Sequence, residues 1–573
     1  MQAIKPRLSY IILIFTLILM LSGIALAASV QSNMGSVIVT EVDFQADDGS
    51  NIHATLQQPI YATSTNPLPG VIVFHGSLQN KEWLMAFGIE LARRGFVVLT
   101  PDANGHGNSD YGSGSGPAAL EYFVDLDYVD SSSIGLIGHS MGGGSVWQAI
   151  NESTVTVGAA VLVGSGSSSD WNATYPNNVL ITVGSFDSLS SYPRNTTRLE
   201  PLFGVTGIEE YVTYGDFADG SARRFAVAST NHLFETINPE IVTESVEWMK
   251  NSLKGGVEDS NWIASSSLTY GWWLAGGFFA TLGAVLTIFP LIAILLDISV
   301  FESLKKEPSL EYNADKRSYL TWGILYGAVP AATFFPLLLI GQFVPFPQSY
   351  GAAISIWFVG TALVLLLILK IAMRGKSEEG LDLKKFLKIG SDQQSPMSSL
   401  VKTFLLASIT VLWLYMWTLL VDLGLALDFR SFLPGMNDLT ISRALFVPIY
   451  AIVFFIYFLI DGMWLMGPLK PENSEPWYKG MTNWTLKGML IKCYPFVILI
   501  GIEFGLGMLL GYPVIPGIIG YSFLFFYAFA PWFAVSAVIT IWSYRSTDRY
   551  YLGALINALF FAWMLATTLS FRL

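Results

Sequence analysis

Residues 133–144 read S-I-G-L-I-G-H-S-M-G-G-G. The apolar Ile134, Leu136 and Ile137 have the character of a buried parallel strand. That run enters G-H-S-M-G, residues 138–142, and continues into a helix-like segment from Gly143 to Ile150. This is the G-x-S-x-G nucleophile elbow in a strand–turn–helix setting. Gly138 and Gly142 are required because strand and helix backbones pass too close there for side chains. Ser140 is left exposed at the strand tip. The amide of Met141, at the helix N-terminus, points where an oxyanion would form. A chain with 52 glycines produces such matches by chance, so the reading leans on the preceding strand and on the partners found elsewhere.

Those partners lie in one part of a divided chain. Of 573 residues, 52% are hydrophobic and only 13% charged. Soluble domains carry about 25% charged residues, so much of this chain belongs in lipid. The charge is uneven. Residues 29–261 hold 26 acidic and 9 basic residues, whereas the rest is close to neutral. An acidic water-soluble domain therefore precedes a separate membrane domain. The acidic surface argues against nucleic acid as a partner. The single cysteine, Cys493, excludes a disulfide framework and a cysteine-based metal site.

In chain order, residues 1–28 read as a signal peptide or N-terminal membrane anchor. Lys5 and Arg7 precede an apolar run from Leu8 to Leu26, and Ala25-Leu26-Ala27 offers a small-residue cleavage site. Residues 36–250 form one α/β unit of strands alternating with helices, which predicts a mostly parallel sheet with ligands at the strand carboxyl ends. Residues 251–270 are a polar linker, with a reach of at most roughly 70 Å if extended. Residues 271–573 form a polytopic transmembrane domain of about eight helices: 272–297, 320–343, 352–372, 402–423, 443–466, 489–511, 518–543 and 550–570.

The loops fix an orientation. Alternate loops and their flanks hold seventeen basic residues, among them Lys305, Lys306, Lys384, Lys385 and Lys388. The other side holds Arg430, Arg443 and Arg572. The positive-inside rule then places the α/β domain outside the cytoplasm of a multi-pass cell-membrane protein. Glu503 falls mid-segment and reads either as a proton or substrate site or as a paired structural residue. Asp422 and Asp461 fall near segment ends and read as interfacial in preference to functional.

Serine needs a base, and the base needs an orienting acid. In this fold the chain order is serine, acid, histidine. Of five histidines, only His232 follows Ser140, in a loop after the last expected strand. His75 and His106 sit in glycine turns and read as structural. Asp187 follows the strand L-I-T-V-G-S-F directly and is the expected acid. Asp170, Asp216 and Asp219 occupy loop or turn positions. The second oxyanion amide is expected from Ser77, after His75-Gly76.

The H-G turn at His75, D-x-x-G-H-G-x-S at 102–109, G-H-S-M-G at 138–142, G-S-F-D at 184–187 and N-H-L at 231–233 resemble the α/β-hydrolase superfamily. Within it the likeness is to dienelactone hydrolases and serine esterases or peptidases, and it covers about residues 40–250. The resemblance implies Ser140 as nucleophile, Asp187 as acid, His232 as base, and Met141 and Ser77 as oxyanion donors. The insertion from Gly164 to Asn178 is too short for a bulky lid, and its Trp171 and Tyr175 are expected to line an acyl pocket.

The expected activity is Ser-His-Asp hydrolysis of an ester, thioester or amide. The substrate is a small-molecule or lipid acyl compound, and the other partner is the bilayer. No metal or organic cofactor is called for. The other class of reading is a transporter or signalling protein with an exported hydrolase-like ligand-binding domain.

Overall fold

The computed structural model describes residues 6–572 except 194, 259–261, 309–311, 375–395, 430–434 and 472–476. Lys5, Lys376, Lys384, Lys385, Lys388 and Arg430, used in the charge count, lie outside the described residues.

A long apolar helix, α1 (Pro6–Gln31), opens the chain. Nine strands follow: β1 (Val37–Gln45), β2 (Asn51–Pro59), β3 (Leu68–Phe74), β4 (Val97–Pro101), β5 (Val129–His139), β6 (Ala159–Val163), β7 (Val179–Gly184), β8 (Thr213–Tyr214) and β9 (Arg223–Ala228). They form one sheet in the order β1-β2-β4-β3-β5-β6-β7-β9-β8. The six strands from β4 to β9 in that order are parallel, and β1, β2 and β8 pair antiparallel at the two edges. The parallel strands are apolar on both faces, because helices cover both.

Helices α2 (Met85–Ala92), α3 (Ser115–Val124), α4 (Gly142–Glu152), α5 (Glu200–Phe203) and α6 (Pro239–Leu253) supply that cover. Val71, Val73, Ile137 and Val161 face α2 and α6, whereas Ile72, Leu136, Leu162 and Ile181 face α3, α4 and α5. This is the α/β-hydrolase fold.

The rest is helical: α7 (Tyr270–Leu295), α8 (Lys316–Gln342), α9 (Gly351–Ala372), α10 (Pro396–Leu425), α11 (Ile441–Ala444), α12 (Val447–Met466), α13 (Trp477–Leu510), α14 (Gly517–Ser522), α15 (Leu524–Thr547) and α16 (Tyr550–Thr568). Among the described residues nine helical segments are long and apolar enough to cross a membrane. Eight follow residue 270, as expected, and the ninth is α1.

Helix α1 is packed into this bundle through small residues. A Cβ on Gly23 would sit 2.3 Å from the Ala280 nitrogen, and one on Gly283 would sit 2.4 Å from the Met20 nitrogen. Such close backbone approach is how helices associate where no hydrophobic force separates them from lipid. At the end of α1 the Gln31 amide donates to the Ala426 carbonyl at 2.9 Å, and its oxygen accepts from the Trp273 indole at 3.0 Å.

The sheet domain is seated on one end of the bundle. The buried Arg443 guanidinium donates to the carbonyls of Gly107 (2.7 Å), Gly105 (3.0 Å), Leu569 (2.6 Å) and Ala566 (3.1 Å). The Phe571 amide donates to Gly105 at 2.8 Å. The linker, expected to be a free tether, is strapped down over its described second half. Arg94 donates to the carbonyls of Ile263, Ala264 and Ser267. Glu90 of α2 accepts from the amides of Thr269 and Tyr270 and so caps α7.

Asp461, near the end of α12, faces its neighbouring helices. It is completely buried between helices, with Lys492 Nζ 2.8 Å from its Oδ1 and the Tyr326 hydroxyl bonded to the same oxygen. Lys492 also donates to Ser536 at 2.7 Å.

Candidate active site

Strand β5 ends at His139, α4 begins at Gly142, and Ser140 stands between them at φ +53°. A non-glycine residue in this left-handed region costs roughly 1–3 kcal/mol and persists only where its surroundings fix it. The surroundings do so: a Cβ on Gly138 would lie 2.4 Å from the Gly142 carbonyl oxygen, and one on Gly142 would lie 2.3 Å from that of Phe74. The Ser140 amide is tied to the Val163 carbonyl at 2.9 Å.

The three side chains singled out along the sequence meet above the carboxyl ends of β5, β7 and β9. His232 Nε2 lies 2.9 Å from Ser140 Oγ, and His232 Nδ1 lies 2.9 Å from Asp187 Oδ2. Asp187 and His232 are both buried. The other Asp187 oxygen accepts from the Leu189 amide at 2.7 Å, which fixes the carboxylate plane. In this geometry the serine hydroxyl can donate to Nε2 while Nδ1–H donates to Asp187, the tautomer a general base requires. Ser77 lines the cleft in front of Ser140, and Met141 follows it at the start of α4.

Two neighbours were not anticipated. Glu235 Oε2 lies 3.3 Å from His232 Nδ1 and 3.2 Å from His139 Nε2, and its Oε1 accepts from the Gly184 amide at 2.6 Å. His139 Nδ1 faces Gln79 Oε1 at 3.0 Å. The signal was present as N-H-L-F-E, but only the short 3-10 turn from Phe234 to Ile237 brings the carboxylate back under the imidazole.

Burial works against a charge on His232, yet the Asp187 and Glu235 carboxylates overcome it and hold the imidazole above its ordinary value. Burial would raise Glu235, but His232 and the bonds from both imidazoles bring it down to about 2. Asp187 is pushed up by burial and by the Glu235 charge.

His139, His232 and Glu235 bring possible ligand atoms within 4.8 Å of one another. A metal there would have to displace the hydrogen bonds just described. His75 and His106 bond backbone of their own loops: His75 Nδ1–H donates to the Gly76 carbonyl and its Nε2 accepts from the Ala103 amide, and His106 Nδ1 lies 3.1 Å from the Asn104 carbonyl.

The cleft in front of Ser140 is not lined by the Gly164–Asn178 insertion. Trp171 is buried in the core beneath the sheet, and Tyr175 is exposed, away from the cleft. The facing wall comes from α9, α14, α15 and α16, which leave a narrow crevice, partly open to the outside, beside Ser140 and His232.

The loops that carry the acid and the base also rest on these helices. Phe186 meets Phe504 edge-on at 5.3 Å, and the Gly517 amide donates to the Ser188 carbonyl at 2.6 Å. The Tyr521 ring packs against that of His232 at 5.9 Å. Glu503 accepts from the Tyr527 hydroxyl at 2.8 Å and from Asn231, the residue before His232, at 3.4 Å.

The fold is that of an α/β-hydrolase domain joined to a helical region of membrane-length apolar segments. Residues 65–189 match the family model of serine aminopeptidase, S33. That stretch contains Ser77, Ser140, Met141 and Asp187, and ends before His232. No curated protein matches the chain.

Solved structures similar to it include DcsB in complex with a substrate analogue (16% identity, 38% of this chain and 99% of that one, TM-score 0.29). The thioesterase domain from the curacin biosynthetic pathway is similar at 11% identity, over 36% of this chain and 99% of that one, with a TM-score of 0.26. The Pyrococcus furiosus esterase Pf2001 is similar at 14% identity, over 39% and 96%, with a TM-score of 0.29.

Proposed function

We propose that this protein is a membrane-bound serine hydrolase that cleaves an ester, thioester or amide outside the cytoplasm. Residues 36–250 form the catalytic domain and residues 271–573 the membrane domain. The observation that carries the reading is the unbroken chain of hydrogen bonds from Ser140 through His232 to Asp187.

Ser140 Oγ attacks the carbonyl carbon while His232 Nε2 takes its proton. The Met141 and Ser77 amides face the oxygen that becomes negative. As the tetrahedral intermediate collapses, the bond to the leaving group breaks and His232 returns the proton to it. Water then attacks the acyl-serine with His232 again as base, releasing the carboxylic acid and restoring Ser140. The paired carboxylates behind His232 stabilise the imidazolium formed in both steps. The excess of basic residues in alternate loops supports the outward orientation.

A membrane-impermeant fluorophosphonate applied to intact cells tests both claims. Wild type labels and Ser140→Ala does not. Labelling that survives the substitution refutes the nucleophile, and labelling only after permeabilisation refutes the orientation.

A further inference from the structure

We infer that the substrate is a lipid ester dissolved in the membrane, its apolar chain held in a crevice that the spanning helices build beside Ser140. The inference rests on Ser140 being the nucleophile, as proposed above. From Ser140 and His232 the crevice runs to Ile354 of α9, Phe525, Ala528 and Phe529 of α15, and Leu565 of α16. No Asp, Glu, Lys or Arg lines it among the described residues. Ligand sites usually place a few polar groups among apolar walls to orient the ligand. Here Gln79, His139, Ser140 and His232 gather at the sheet-domain end; the helices add only the hydroxyls of Tyr521 and of Thr568, the latter at the very end of α16, and otherwise offer carbon. An ester with its carbonyl at Ser140 and a hydrocarbon chain beyond matches that division. A small polar ester would leave the apolar walls unfilled.

Depth points the same way. Ile354 lies in the first turn of α9 and Leu565 in the last turn of α16, with Phe525 at the start of α15. Ser140 therefore meets the bundle at the ends of its spans, the level at which a lipid's polar linkage gives way to hydrocarbon. From Phe525 to Phe529 the wall descends about 6 Å along the helix, with the two rings stacked at 6.3 Å.

A rim toward lipid is present as well. Phe335 of α8 packs against Phe523 at 5.4 Å. Beside that contact the apolar Leu339, Ile340 and Phe343 of the α8 end, and Ile518 and Ile519 of α14, are exposed. Exposed apolar patches of this kind mark contact with lipid or partners.

The test uses the full-length protein in lipid nanodiscs, with p-nitrophenyl acetate and p-nitrophenyl decanoate. Wild type is expected to show kcat/KM at least tenfold higher for the decanoate, with both activities lost in Ser140→Ala. Ala528→Trp, which fills the crevice, should bring the decanoate-to-acetate ratio close to one. Leu565→Ala, which enlarges it, should move the preference to longer chains. In Ser140→Ala, a phosphatidylcholine carrying a diazirine on its acyl chain should crosslink to α15 or α16.

Ser140-dependent turnover with no chain-length preference overturns the lipid assignment and leaves the hydrolase intact. So does hydrolysis of an S-acylated peptide with no hydrolysis of a glycerolipid. Absence of any turnover together with absence of fluorophosphonate labelling overturns the hydrolase, and this inference with it.

Discussion

Glu235 places a second carboxylate oxygen 3.3 Å from Nδ1 of His232, beside that of Asp187 at 2.9 Å. Both charges favour the protonated imidazole and raise its pKa against the effect of burial. The base must be neutral to take the serine proton, so kcat/KM is lost as pH falls through that pKa. Glu235→Gln removes one negative charge and lowers the His232 pKa. The acid limb of the pH–rate profile is then expected to move to lower pH, with plateau activity within about tenfold of wild type. Asp187→Asn disturbs the tautomer itself and should cost about 10⁴ in kcat. A Glu235→Gln profile that superimposes on wild type would show that its charge is not felt at the imidazole.

Arg443 joins the two halves of the molecule through four carbonyl oxygens. Arg443→Ala removes one donor from each; Gln348 still serves Ala566 and Leu569 and the Phe571 amide still serves Gly105, so the main loss is at Gly107, at about 1–3 kcal/mol. A lower Tm is expected in a thermal-shift measurement. Esterase activity should fall at temperatures below the melt, because the loop at Gly105–Gly107 is then held to the helical half only by the Phe571 amide and by Asn108 on Asp438. Lys at this position cannot span four acceptors and should rescue only in part.

Within the bundle, Asp461 and Lys492 form a buried ion pair. Removing one partner strands the other, at about 3–5 kcal/mol. Lys492→Met alone should therefore destabilise strongly, and the double change Asp461→Leu with Lys492→Met should recover much of the loss. Denaturation of the four proteins of this double-mutant cycle in mixed micelles measures the coupling. Strict additivity would mean the pair contributes nothing as a pair.

Helix α1 crosses α7 backbone to backbone, and Gln31 is bonded to Trp273 and Ala426. Cleavage after Ala27 would remove most of that helix. The mature protein is therefore expected to retain residues 7–31, which intact-mass measurement or N-terminal sequencing checks. Gly276→Leu, which wedges the crossing apart, should lower the yield of folded protein.

Ser140, Asp187 and His232 were legible because parallel strands deliver successive loops to one edge of the sheet, so chain order alone ranks the candidates. Glu235 was not, because its approach depends on how a four-residue turn closes. The partner of Asp461 was not legible, because distance from a helix end says nothing of what the next helix presents, and here α13 presents Lys492. Trp171 and Tyr175 were assigned to the cleft by proximity in sequence, but Trp171 finds better burial beneath the sheet. The crevice itself joins residues more than four hundred positions apart, a relation no local pattern encodes.

The loops bearing Asp187 and His232 lean on Phe504, Gly517, Tyr521 and Glu503. The bundle is thus more than a mooring. Exchanging it for another anchor would remove one wall of the reaction chamber and the buttress behind two of its three working groups. The helical half therefore shapes the chamber as directly as the sheet does.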